Sequence, residues 1–106
     1  MTKAETLFHK IVEEVPGAKK GKMFGALCIK AANGKAVAIL WKDNMLFRLD
    51  RKTELGALKL NGAHPASHLY APEKPMNGWI ELPYKHSDRW TMFTAKAIAF
   101  VETLKK

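Results

Sequence analysis

The chain has 106 residues, 47% of them hydrophobic and 26% charged, a balance that supports a single folded domain, 1–106, and excludes a disordered polymer. One cysteine, Cys28, rules out an internal disulfide or a cysteine zinc site, and a reducing, cytoplasmic setting is expected. No segment reaches the ~20 consecutive apolar residues that cross a bilayer, and no basic stretch leads into a long apolar run near Met1, so neither a membrane anchor nor a signal peptide is expected.

Thr2 and Glu5 stand at capping-box spacing, where hydroxyl and carboxylate each satisfy an unpaired N–H at a helix start. The helix they predict carries Ala4, Leu7, Phe8, Ile11, Val12 and Val15 at three- and four-residue steps and stops at Pro16-Gly17. Lys3, Lys10, Glu13 and Glu14 fall on its wet face. The one compact basic run, Lys19-Lys20-Gly21-Lys22, is expected in the loop that follows.

From Met23 to Asp50, three apolar segments alternate with two polar breaks, Ala32-Asn33-Gly34 and Lys42-Asp43-Asn44, which predicts a three-stranded antiparallel meander. Met23 to Ile29 is almost continuously apolar, as in a strand covered on both faces. In Lys35 to Trp41, Val37, Ile39 and Trp41 alternate with Ala36, Ala38 and Leu40. In the third strand, Met45, Phe47 and Leu49 alternate with Leu46, Arg48 and Asp50, which turns Arg48 away from the core.

Arg51 to Leu60 reads as a second helix with Leu55, Ala57 and Leu58 inward and Asn61-Gly62 as its stop. Ser67-His68-Leu69-Tyr70, between Pro65 and Pro72, reads as an edge strand. Ala71 to Met76 reads as a loop over a sheet end, and Trp79-Ile80-Glu81-Leu82 as a strand closed by Pro83. A last helix, capped by Ser87 or Asp88, carries Trp90, Phe93, Ala97, Ile98, Val101 and Leu104 at helical spacing and needs a sheet face to bury them. The order α-β-β-β-α-β-β-α describes an α+β fold, an antiparallel sheet of about five strands with helices packed on it.

Reactive groups are scattered. His9, His64, His68 and His86 form no ligand motif, and Pro65 breaks any helical pairing of His64 with His68. Cys28 sits in an apolar strand and reads as a small buried hydrophobe. Gly25 belongs to no phosphate loop. Asp43, Asp50, Glu54 and Glu81 occur singly, so no catalytic residue, metal or cofactor is expected. Trp41, Trp79, Trp90, Tyr70, Tyr84 and Phe24 fit core positions; stacking on a base or peptide would need Trp79 exposed beside Lys85 and Arg89.

Taken in order, Lys22-Met23-Phe24-Gly25, Asp43-Asn44-Met45-Leu46-Phe47-Arg48-Leu49 and Trp79-Ile80-Glu81-Leu82-Pro83 before an amphipathic helix resemble the N-terminal domain of the TfoX/Sxy family, over nearly the whole chain. Ala26 stands where that family usually has a second glycine, and Phe47-Arg48-Leu49 alters the strand motif, which marks a divergent member; with the sequence stopping at Lys106, a stand-alone version of the domain is expected. The resemblance implies a small α+β domain similar to secretion-chaperone-like structures, and only weakly a role in the regulation of natural competence genes, which the family's two-domain regulators carry out with a further C-terminal domain.

The expected function is accordingly a non-enzymatic binding or regulatory module acting through protein contacts. The alternative is direct nucleic-acid binding through Lys19, Lys20 and Lys22, for which the net charge of +8 is the invitation. A site assembled from residues distant in sequence is a third reading, and a homodimer through the edge strand near His68 to Ala71, or through a sheet face, is a fourth.

Overall fold

The computed structural model describes residues 3–23, 25–41, 43–68 and 71–103. Helix α1 (Lys3–Glu14) leads into strands β1 (Lys19–Met23), β2 (Ala26–Lys30), β3 (Ala36–Trp41) and β4 (Asn44–Arg48). Helix α2 (Arg51–Ala57), strands β5 (His64–His68) and β6 (Ala71–Leu82), a 3-10 segment (Tyr84–Arg89) and helix α3 (Trp90–Glu102) complete the order. The six strands form one antiparallel sheet in the order β1-β2-β3-β4-β6-β5, which leaves β1 and β5 at the edges.

The helices gather on one face, where α1 and α3 pack over β3, α3 also covers β4, and α2 lies beside β6. Ala4, Phe8, Ile11 and Val15 of the first helical stripe meet Trp90, Phe93, Ala97, Ile98 and Val101 of the last over Ile29, Phe47, Leu49, Ile80 and Leu82. Phe8, Phe47 and Trp90 lose all contact with water. Each such side chain contributes about 1.5–3 kcal/mol by burial, so the terminal helices are structural and not appendages. The Phe47 and Phe93 rings lie 5.8 Å apart, tilted by 44°, and join sheet to α3.

The expected basic loop is a strand. Lys19 to Met23 pair with Ala26 to Lys30, and the apolar run expected as a single strand is divided between β1 and β2 ahead of Ala26, with Gly25 at φ 78°, so the sheet has six strands and not five. An edge strand needs no apolar alternation because one margin meets solvent, and for that reason three lysines and a glycine concealed it. Alternation also misplaces Val37. Ile29 faces Ala38 but Lys30 faces Ala36, a bulge that leaves Val37 as the extra residue and turns it, fully buried, into the helix-side core.

Further differences lie in the second half. Ala71 to Met76, expected as a loop, belongs to the twelve-residue β6, whose pairing with β5 shifts register twice. The edge strand begins earlier than expected, at His64; Leu69 and Tyr70 lie outside the described residues, as do Thr2, Phe24 and Leu104. Leu55 is exposed while Ala57 is buried. Neither Ser87 nor Asp88 caps α3; the 3-10 segment runs directly into it, and Arg89 makes no side-chain capping bond.

The opposite sheet face has its own small apolar layer of Ala26, Cys28, Ile39, Leu46, Ala66 and Trp79, flanked by half-buried Ala36 and Trp41. Trp79 is therefore a packing residue, not an exposed stacking platform. Lys30 helps to roof this layer: its methylenes lie where a side chain on Gly21 would stand, with the Cys28 sulfur 3.5 Å from that same point. Among the described residues, no helix is long and apolar enough to cross a membrane.

Candidate functional site

Lys19, Lys20 and Lys22 are exposed on β1, but alternation divides them. Lys20 and Lys22, opposite Ile29 and Leu27, share the helix side of the sheet; Lys19, opposite Lys30, is on the other. The three candidate lysines thus stand at one sheet edge, two toward one face and one toward the other.

A polar row crosses the helix-free face. Glu81 accepts a hydrogen bond from Asn44 Nδ2 at 2.6 Å, and His64 Nε2 lies 3.7 Å from its other oxygen. His64 Nδ1 bonds the Pro65 carbonyl at 3.0 Å and so carries a proton, while His86 Nε2 does the same toward Asn61 at 2.6 Å. These imidazoles are held by backbone carbonyls near strand and helix ends. Among the described residues, no group of three His, Cys, Asp or Glu side chains is placed to hold a metal ion.

Burial pushes the Cys28 thiol above its ordinary range, with only a partial offset from Lys30, so it is not an activated nucleophile.

A concavity lies between α2 and α3. Thr53, Gly56 and Ala57 of α2 line one side of it, with Lys52 beside them and Leu60 just past the helix end; Met92, Phe93 and Lys96 of α3 line the other, with Arg89 at the close of the 3-10 segment. Its volume is about 440 Å³ and it is open to solvent. Ala57 and Phe93 are buried in its floor, whereas Met92 keeps 43% of its surface exposed. Lys52, Arg89 and Lys96 are exposed around it, and none of the residues lining it is acidic.

Asp50 lines an adjoining depression with Thr53 and Lys96. It caps α2 by accepting the Thr53 N–H at 2.7 Å. The Thr53 side chain and then its backbone N–H hold the Asp50 carboxyl below its ordinary range, and Lys96 and Lys52 act in the same direction. The same cap satisfies the first turn of α2.

Gly56 is a second peculiarity of this place. A Cβ built on it would meet nothing within 4 Å. Glycine inside a helix costs about 0.5–1 kcal/mol relative to alanine, and no packing inside the molecule requires it here.

Sequence reasoning assigned no binding role to Lys52, Met92 or Lys96. The Arg89-Met92-Phe93-Lys96 spacing was visible, but its meaning depends on α2 lying beside α3, which no local pattern contains. The chain matches no protein-family model, no curated protein and no solved structure.

Proposed function

We propose that the protein is a non-enzymatic binding module of the cytoplasm that acts by docking another protein, in keeping with its resemblance to the N-terminal domain of TfoX/Sxy regulators. The observation that supports this reading is the groove between α2 and α3: an apolar floor, an exposed methionine and three surrounding cations. Lysine, arginine, methionine and a bare glycine offer attraction and adaptable contact but no nucleophile–base pair.

The test places a photo-crosslinking residue at Met92 and, separately, at exposed Lys10 on the far face of α1, in the protein expressed in its native host. The expected result is a discrete protein adduct from position 92, absent from position 10 and lost when Gly56→Trp fills the groove. Adducts that persist unchanged in Gly56→Trp overturn the reading. Nucleic-acid binding through Lys19, Lys20 and Lys22 is the competing account, supported by the opposed Lys19 and Lys30; it requires binding at low salt that weakens steeply as salt rises and is lost in Lys19→Glu/Lys22→Glu.

A further inference from the structure

We infer that the groove between α2 and α3 takes an acidic amphipathic helix, one whose apolar side chains recur at i, i+3, i+4, i+7 and are flanked by carboxylates. The inference rests on the docking role proposed above and adds the chemistry of the partner.

Charge is the first argument. Lys52 of α2, Arg89 at the end of the 3-10 segment and Lys96 of α3 are separated by some thirty residues of chain and an intervening hairpin, yet they border one concavity that, among the described residues, no Asp or Glu lines. Arg51, by contrast, is neutralised within its own helix by Glu54 at 3.1 Å. Lys52 and Lys96 do feel one carboxylate, Asp50 of the adjoining depression, but it is committed to the α2 cap; the groove's described lining holds cations and no carboxylate, and an incoming acidic segment would supply one, gaining both association rate and register.

Shape is the second. Two helices lying side by side, with buried Ala57 and Phe93 as the floor between them and exposed Gly56 and Met92 on the flanks, offer a receiving surface on which an amphipathic helix can lay its apolar face. Met92, unbranched and polarizable, adapts to whichever apolar side chain arrives. The groove is open along its length, whereas small-molecule sites enclose about 70–90% of their ligand; a peptide helix, needing cover on one face only, fits an open groove better.

Gly56 is the third and independent argument. It weakens a seven-residue helix without serving any contact inside the molecule, and the space its missing side chain leaves is groove space. Close approach of another backbone is a use for such a glycine.

The experiment titrates the full-length protein with a synthetic helical peptide bearing Leu at i, i+3, i+4, i+7 positions and Glu elsewhere, read by fluorescence anisotropy and by amide NMR shifts. Comparison probes are the same composition scrambled to destroy the apolar face, the same pattern with Lys for Glu, and a single-stranded DNA oligonucleotide. The expected result is binding of the patterned acidic peptide alone, shifts concentrated in Arg51–Leu60 and Arg89–Lys96, about a tenfold or greater loss in Lys52→Glu/Lys96→Glu, and loss in Gly56→Trp, with melting curves showing both variants folded. Equal binding of the scrambled peptide or the oligonucleotide would reduce the site to nonspecific charge and overturn the inference. Binding of the Lys-patterned peptide, or indifference to Lys52→Glu/Lys96→Glu, would overturn it as well. Should the Met92 crosslink form in cells while the acidic peptide fails to bind, the docking role stands and the partner chemistry falls.

Discussion

Asn33 Nδ2 donates to the carbonyl of Val101 at 3.1 Å, tying the β2–β3 turn to the last turn of α3 across 68 residues of chain. The same side chain accepts the Lys35 N–H through Oδ1 at 3.0 Å, so both ends of one amide are committed. The carbonyls of a final helical turn lack partners within their helix, and here the turn supplies one.

Asn33→Ala is therefore expected to destabilise the protein by about 1–2 kcal/mol, the loss of two net hydrogen bonds. Asn33→Asp keeps the acceptor for Lys35 but loses the donor and sets a negative charge beside the negative end of α3. Urea unfolding should place both variants below the parent, and hydrogen exchange should show α3 fraying from its C-terminal turn. An unchanged midpoint in both would remove the tie as a stabilising contact.

Gly56→Ala is expected to stabilise the fold by about 0.5–1 kcal/mol, because the new methyl meets no atom and α2 loses its most flexible residue. A rise in the thermal midpoint of several degrees is the corresponding observation for a chain of this size. Destabilisation would mean that the space over Gly56 is not free.

Asp50 couples stability to pH on the acid side. Its carboxyl titrates below the ordinary range because it accepts from Thr53, so the native state holds the ionised form more strongly than the unfolded chain does. The resulting stability is complete above the ordinary carboxylate pKa and is lost as pH falls through the depressed native value. Asp50→Asn, itself a competent cap, should retain α2 yet flatten this acid limb. Parallel pH profiles of the melting temperature for the two proteins would contradict the assignment.

Cys28 makes the opposite prediction. Its thiol is raised by burial, so the unfolded chain ionises first and the thiol's contribution, intact below the ordinary thiol pKa, declines as pH climbs through the raised native value. Thiol reagents should modify the native protein only as fast as it opens. Cys28→Ser should fall below Cys28→Ala in stability by about 1–3 kcal/mol, since it buries a hydroxyl in a layer of Ile39, Leu46 and Trp79. Rapid labelling of native protein would show that the roof over Cys28 is not closed.

The helical stripes were legible because each obeys a single period: Phe8 and Ile11, or Trp90, Phe93 and Ala97, are buried as their spacing predicts. The alternation of Met45, Phe47 and Leu49 against Leu46 and Arg48 was equally clear. Val37 was not, because a bulge resets the parity of β3 through a neighbour on another strand. Lys19 to Lys22 gave no strand signal, since an edge position tolerates charge on both faces. Pro72 and Pro75 read as loop breakers, yet both lie in β6, where pairing with β5 is irregular. The α2–α3 groove was hidden for another reason: Lys52 and Lys96 become neighbours only after the sheet has set the positions of both helices.

The two outer margins of the sheet put different obstacles in the way of strand addition. On β1, lysines project to both sides; on β5, Pro65 has no amide hydrogen to give and its carbonyl is already occupied by the His64 ring. Neither border offers a clean template for a foreign strand. Fibril-like stacking through β1 or β5 is therefore expected to be slow even in concentrated solution.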